Sequence, residues 1–234
     1  DTTARLWDAA TGKSLEITLA GHTASVTSVA FMPDGARAMT GSKDITVSEC
    51  FVPTHRMFSL SKVAQDIAPG REINPGPLYR QPFFAASVCS LIAPAWGAAQ
   101  AAVDTYEQRL QSRMMVFGAG KQSEKSTAQL RLVEAAAEID AAGLLLKRNC
   151  DEFKALAEAG TPSTKLLRAR ALFEGAYATT MLTRSVERLF VASGGSALHE
   201  GNVIQRCWRD VHAINSHAGM NLDNMGELYG QVRL

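Results

Sequence analysis

The chain has 234 residues, 46% of them hydrophobic, enough apolar material to close one large core or two small ones. Its 24 basic and 23 acidic residues leave a formal charge of +1, so no whole-molecule field draws it to nucleic acid or to an anionic membrane, and neither partner is expected. The dispersed cysteines Cys50, Cys89, Cys150 and Cys207 form no Cys-x-x-Cys pair, which argues against a disulfide framework or a metal site and for a reducing, cytoplasmic setting. No basic-then-apolar leader opens the sequence, and Asp1 in place of Met marks an expected fragment.

Residues 1–44 alternate with period two. Ala4-Arg5-Leu6-Trp7-Asp8 predicts a short strand, Ala10-Thr11-Gly12-Lys13 a turn and 14–19 a second strand; 25–31 and 36–40 follow the same pattern around a Pro33-Asp34-Gly35 turn. These residues resemble a WD-repeat β-propeller blade, with ARLWDAATGK and LAGHTASVTSVAFMPDGARAMTGSKD as the matching strings. Asp1 and Asp44 occupy equivalent places 43 positions apart, so the next Trp-Asp is due at 50 and 51; those positions hold Cys50 and Phe51, and the repeat stops. One blade cannot bury both its faces, so a working propeller platform is not expected, and His22 reads as a structural hydrogen bonder.

The connecting stretch 45–82 carries Pro53, Pro69, Pro75, Pro77 and Pro82 with Gly70 and Gly76, which predicts an extended connector without regular structure. His55 and Arg56 are expected to tie that loop down. Residues 83–234 are helical by their spacing. Apolar residues Val88, Leu91, Ala95, Ala98, Ala102, Val103, Tyr106 and Leu110 predict a helix from 84 to about 113, ended by Gly118 and Gly120. The uncharged run 82–103 is long enough to span a bilayer, but Pro94, Gly97 and Gln100 favour a buried bundle helix. A second helix, capped by Ser126 or Thr127, carries Leu130, Val133, Ala137, Ile139, Leu144, Leu145, Phe153 and Leu156 to Gly160. The third starts after Ser163 as its cap and reaches Ser193; a shorter fourth covers 203 to about 216. Three long helices and one short one predict a mainly α fold, an antiparallel four-helix bundle.

Further strings point to chemistry. GSKDITVSECFVPTHR, GPLYRQPFF, Arg113 with Phe117-Gly118, LVEAAAEIDAAGLLLKR, SGGSAL and QRCWRDVHAINSHAGM together resemble the C-terminal part of the acyl-CoA dehydrogenase superfamily, in its branch of two-component flavin-dependent aromatic monooxygenases. The resemblance divides the chain into a WD-repeat-like fragment at 1–44, a last β-domain strand with its connector at 45–82, and the helical domain at 83–234. It also suggests a fusion joined within 40–44. The dehydrogenases of the superfamily place a Glu nine positions after an Arg-Asp pair; counted from Arg209, that position is Ala218 and the base is absent. The monooxygenase branch places a His one position earlier, which is His217, a group suited to accept or donate a proton at a substrate hydroxyl. The resemblance further implies that Arg113 and the loop Gly194, Gly195, Ser196 meet the phosphates of a reduced flavin, FMN or FAD, held by a neighbouring subunit of a homotetramer. A flavin reductase would supply that flavin, and an aromatic small molecule would be the substrate. Arg209 and Asp210 are expected to pair at a helix surface, His212 to pack or face solvent, and His199 to lie on the surface. Because only the last strand and the bundle are present, the chain alone is expected neither to bind flavin tightly nor to hydroxylate. Three readings stay open beside this one: an acyl-CoA dehydrogenase-like oxidoreductase, a WD-repeat interaction fragment, and a non-catalytic helical oligomerisation module.

Overall fold

A computed structural model describes the strand backbones between Ala4 and Gly41 and residues 62, 63, 65–67, 70–115 and 119–234. The expectations for His22, Cys50, Phe51, His55, Arg56, Phe117 and Gly118 lie outside the described residues, as do positions 42–44 of the expected junction. The chain forms two compact units, Asp1–Met57 and Phe58–Leu234. In the first, strands β1 (Ala4–Trp7) and β2 (Ser14–Leu19) pair antiparallel, with Ala4 opposite Leu19 and an irregularity between Arg5 and Trp7. Strands β3 (Ser28–Phe31) and β4 (Ala38–Gly41) form a second antiparallel pair with Ser28 opposite Gly41.

The second unit is built on five helices: α1 (Phe83–Ser112), α2 (Ser126–Ala159), α3 (Lys165–Ser193), α4 (Val203–Asn215) and α5 (Leu222–Arg233). Contacts fix their directions. Gly175 lies against Val88 while Arg109 reaches Ser193, so α1 and α3 run the same way. Glu152 meets Arg170 and Glu138 meets Arg184, so α2 runs against α3. Trp208 reaches Glu187, Met220 reaches Thr179 and Phe173 stacks on Tyr229, so α4 and α5 descend along α3 one after the other. The fourth leg of the bundle is therefore two helices, where the sequence reading had one. Asn221 starts the second by accepting the Asn224 N–H at 2.8 Å.

The core lies between α1, α3 and their flanking helices. Alanines at 95, 99, 102, 135, 142 and 178 are all fully buried, and Ile92, Ile139, Leu182, Val186, Leu189 and Val211 fill the space their small side chains leave. Close approach follows from the small residues. A Cβ on Gly175 would fall 2.2 Å from Val88 Cγ1, so glycine is what lets α1 and α3 touch there. Trp96 lies over Gly143 in the same way and donates its Nε1–H to the Ile139 carbonyl at 3.1 Å. Helix α1 is long and apolar enough to cross a membrane by length and composition, yet here it packs against α2, α3 and α4.

Several boundaries differ from expectation. The α1 helix ends at Ser112, before the glycines, because Arg113 turns extended and Met114 bridges Lys121. Neither Ser126 nor Thr127 caps α2; its N-cap is Lys125, with no side-chain bond. Thr164, not Ser163, caps α3 by accepting the Leu167 N–H at 3.1 Å, because the Ser163 hydroxyl already donates to Asp66 at 2.6 Å. The connector is not wholly irregular: Gly70–Ile73 makes a helical turn and Pro77–Arg80 a 3-10 turn with Pro at its start. Asp66 anchors it to the bundle. Its backbone takes a φ of 62°, its carboxylate is buried, and Arg168 pairs with it at 3.2 Å.

Candidate functional site

The turn between α4 and α5 is short and tightly pinned. The His217 N–H donates to the Ile214 carbonyl at 3.0 Å, and its own carbonyl accepts the Met220 N–H at 2.8 Å. Met220 plugs the turn into the core, 2% exposed, where its sulfur meets the Thr179 hydroxyl at 3.3 Å. On that base the His217 side chain stands exposed, with Nδ1 accepting the Gly219 N–H at 3.0 Å. A backbone N–H can only donate, so Nδ1 presents a lone pair and the neutral ring carries its proton on Nε2. Nε2 makes no hydrogen bond among the described residues, so the donor is free for a ligand.

Arg113, Gly194, Gly195 and Ser196 sit at the far end of α1 and α3. Gly194 ends α3 with a φ of 65°, a backbone state that favours glycine, and a Cβ on either Gly194 or Gly195 would meet nothing within 4 Å. Both glycines are exposed, so their backbone is open to a ligand. Arg113 is half-buried and its guanidinium makes no hydrogen bond or ion pair among the described residues. The residue that organises the loop is Arg109, one turn earlier, which the sequence reading passed over. Its Nη2 donates to the Ser193 carbonyl and to Ser196 Oγ, both at 2.6 Å. The signal for it was its place one helical turn before Arg113, on the face directed to the end of α3. Ser193 and the Met220 anchor at Thr179 are about 20 Å apart along α3 at 1.5 Å per residue, so His217 and the glycine loop form two separate places on one subunit.

Other predicted residues resolve as follows. Arg209 and Asp210 are exposed and make no ion pair with each other, contrary to expectation: adjacent residues on a helix point in different directions. His212 packs its ring on Trp208 at 4.2 Å, directs Nδ1 to the Trp208 carbonyl at 2.8 Å and has Nε2 3.8 Å from Glu187. His199 is exposed, as read. Cys89, Cys150 and Cys207 are free thiols; burial, with the neighbouring Cys150 adding to it, pushes the Cys89 thiol up to about 12, which keeps it protonated and unreactive at neutral pH. A cavity of about 360 Å3 opens near the start of α1 and α3, walled by Phe84, Ala169, Leu172, Leu228 and Val232 with Lys165. None of the predicted site residues lines it.

Residues 89–222 match the family described as acyl-CoA dehydrogenase, C-terminal domain, and residues 13–48 match the WD domain, G-beta repeat. The chain is 35% identical over 192 residues to the flavin-dependent monooxygenase, oxygenase subunit HsaA, of Rhodococcus jostii (strain RHA1), covering 82% of this chain and 50% of that one. It is 30% identical over 209 residues to the FADH(2)-dependent resorcinol hydroxylase, oxygenase component, of Rhizobium sp. (strain MTP-10005), covering 84% of this chain and 50% of the relative. Among solved structures, the 3-HSA hydroxylase from Rhodococcus sp. RHA1 superposes with a TM-score of 0.71 at 34% identity, over 80% of this chain and 48% of that chain. The chain thus spans about half the length of the curated relatives it matches, with 50% of each covered. Through the helical domain built by α1 to α5, with the match running from residue 89 to residue 222, the chain belongs to the acyl-CoA dehydrogenase family.

Proposed function

We propose that this chain carries the C-terminal half of the oxygenase component of a two-component monooxygenase, one that uses reduced flavin to hydroxylate an aromatic substrate. The observation that supports it most directly is His217: an exposed imidazole on a rigid turn, its Nε2–H unengaged, one position before the place where a dehydrogenase of this family would carry a Glu and this chain has Ala218. A methyl group cannot remove an α-proton, so the dehydrogenase reading lacks its base. The similarity to two oxygenase components over most of the chain favours the same reading.

The residues fit a flavin on structural grounds. The Gly194-Gly195 backbone is open where any side chain would narrow the approach, and the Arg113 guanidinium, at the end of the parallel helix α1, is unpaired among the described residues. Arg113 and the loop 194–196 would hold its phosphates, and Arg109 would keep the loop in shape. Bound reduced flavin supplies the oxygen activation. The chain's own contribution at His217 is to orient the aromatic hydroxyl and to hold a proton at Nε2. Since the two places are about 20 Å apart along one subunit, the glycine loop serves a flavin whose reactive ring lies in another subunit, which requires a homo-oligomer, read here as a tetramer. An exposed apolar stripe on α2 supports such assembly: Leu130, Val133 and Leu144 are 55%, 57% and 68% exposed. Free thiols and the flavin reductase partner both suit the cytoplasm.

The isolated chain is expected to bind reduced flavin more weakly than micromolar and to give no product with a reductase. A chimera in which residues 45–234 replace the equivalent half of the Rhodococcus jostii oxygenase subunit is expected to hydroxylate, and His217→Asn in it to lose about 100-fold or more in rate, the scale of a lost proton-handling group. A folded, flavin-binding chimera that forms no hydroxylated product, or whose His217→Asn variant keeps full rate, would refute the reading.

A further inference from the structure

We propose that the Gly219 backbone N–H is a positioning group that fixes His217 in one tautomer and one orientation, so that the ring offers a substrate a hydrogen-bond donor and not a base. The inference rests on the reading of His217 as the residue that meets the aromatic hydroxyl, and it specifies what that meeting consists of.

Three observations carry it. The Gly219 N–H points at Nδ1 from 3.0 Å, and an N–H has no lone pair to accept with, so a proton on Nδ1 would forfeit the bond and set two hydrogens against each other. The approach is so close that a Cβ on residue 219 would lie 3.2 Å from Nδ1 and 3.5 Å from Cε1; glycine permits the ring to lie over its own turn. The turn itself does not give way, because His217 is bonded through both its N–H and its carbonyl and Met220 is sunk in the core behind it. The neutral ring therefore turns Nε2–H outward.

A ring held in this state cannot take a phenol's proton at Nε2, which already bears one, nor pass its own proton inward to Nδ1. The phenolic proton must leave to water, and His217 then holds the phenolate oxygen by donating Nε2–H to it. The ligand recognised is an aromatic oxyanion, or another aromatic whose ring oxygen accepts a hydrogen bond. A charge-assisted bond of this kind is shorter and stronger than one to the neutral phenol, so the ring selects the ionised form, the one with the electron-rich carbon that hydroxylation needs.

Long-range proton–nitrogen correlation spectra of the protein labelled with 15N-histidine, recorded above neutral pH, test this without any turnover. The expected result is one tautomer for His217, Nε2 protonated and Nδ1 bare. Gly219→Pro, which removes the N–H itself, should move both nitrogen resonances toward the averaged position of an unrestrained histidine. His217→Asn, whose side-chain oxygen can accept the same N–H, should melt with the parent protein and so report that the turn is intact. A proton on Nδ1 in the parent, an averaged pair like that of free histidine, or a Gly219→Pro spectrum identical to the parent's would each overturn the proposal. An inactive chimera with the single tautomer in place would instead remove the hydroxylase reading and leave the positioning role of Gly219 standing.

Discussion

Arg109 illustrates how one side chain ties an element's end to a loop. Its guanidinium is half-buried and meets two oxygens, one of them the carbonyl of Ser193, a residue only 2% exposed. Removing the donor leaves that carbonyl at the C-terminal end of α3 without its charged partner, where the helix dipole also favours a cation. The Ser196 hydroxyl still donates to that carbonyl at 3.2 Å, so Arg109→Ala is expected to destabilise the unit by about 1.5–3 kcal/mol, the worth of bonds from a charged donor. For a chain of this size that is a fall of roughly 2–4 °C in Tm per kcal/mol, readable by calorimetry. Arg109→Lys should recover part of it, since a single ammonium can reach one oxygen but not both. The same substitution should loosen the 194–196 loop, whose Ser196 hydroxyl loses its donor.

At the scale of the helix, α2 shows why periodicity located the elements better than their faces. Leu130, Val133, Ala137 and Leu144 carry the strongest apolar pattern on it, yet all four are exposed. The buried face is Ala128, Ala135, Ile139, Ala142, Phe153 and Ala157, a pattern mostly of alanines that barely registers as hydrophobic. Two apolar stripes on one helix cannot be ranked from the chain alone, and the alanine-rich one, with Ile139 and Phe153, took the core. Helix α5 was given no separate place in the bundle although Leu222, Met225, Tyr229 and Val232 recur at helical spacing behind the Asn221 cap. The cap of α3 was misplaced by one residue because the competing partner of Ser163, Asp66, lies 97 residues away in the chain. His217 was legible from its position after Arg209, whereas its ring's tautomer depends on a backbone bond no spacing reveals. The mainly α helical bundle was thus legible, and what escaped was set by long-range contacts.

Two helix-scale predictions follow from packing and charge. Gly175→Ala drives a Cβ to 2.2 Å from Val88 Cγ1 and 3.0 Å from Ile92 Cδ1, both on buried residues that cannot swing away. An overpacking cost of about 1–3 kcal/mol is expected, with a cooperative melt preserved. Glu138 on α2 meets Arg184 at 2.7 Å, Arg188 at 3.0 Å and the Ser185 hydroxyl at 2.9 Å, all from α3. Burial alone would raise its carboxyl, but the donated bonds from Arg188, Ser185 and Arg184 outweigh it and hold the group below the ordinary 4.5. A carboxyl depressed in the folded state adds stability above its unfolded value and loses it as the pH falls through the folded one. Glu138→Gln should thus lower Tm at pH 7, by the equivalent of about 1 kcal/mol for a partly screened cluster. The gap to the parent should close as the pH is taken below 4.5. A gap that stays constant down to pH 3 would mean that the carboxylate charge contributes nothing.

For the whole molecule, the exposed stripe on α2 is the feature on which the proposed assembly rests. Leucines and valines that are more than half exposed on a long, regular helix are stable in water only at a cost of about 25 cal/mol for each Å2 of apolar surface, and a second copy removes that cost. Leu144→Glu, with Val133→Glu as its companion, is expected to shift the protein from a homo-oligomer to a monomer while leaving its helicity unchanged, as light scattering and circular dichroism would show. A parent protein that is monomeric at working concentration would remove the assembly, and with it the requirement that the glycine loop serve a neighbour's flavin.

The central place of α1 also dictates the order in which the domain can be completed. The first long helix of this unit packs against α2, α3 and α4, and Ile204, Cys207 and Val211 of α4, in the same core, come more than 90 residues after it. The neighbouring helices α2 and α3 can pair as soon as they emerge, through contacts that close a short loop. The alanine face of α1 that α4 covers has no partner until residue 211 has left the ribosome. From the emergence of α1 until that of α4 the helical unit therefore carries an unfinished hydrophobic surface, and it is in that interval, more than in the finished fold, that it would call on a chaperone.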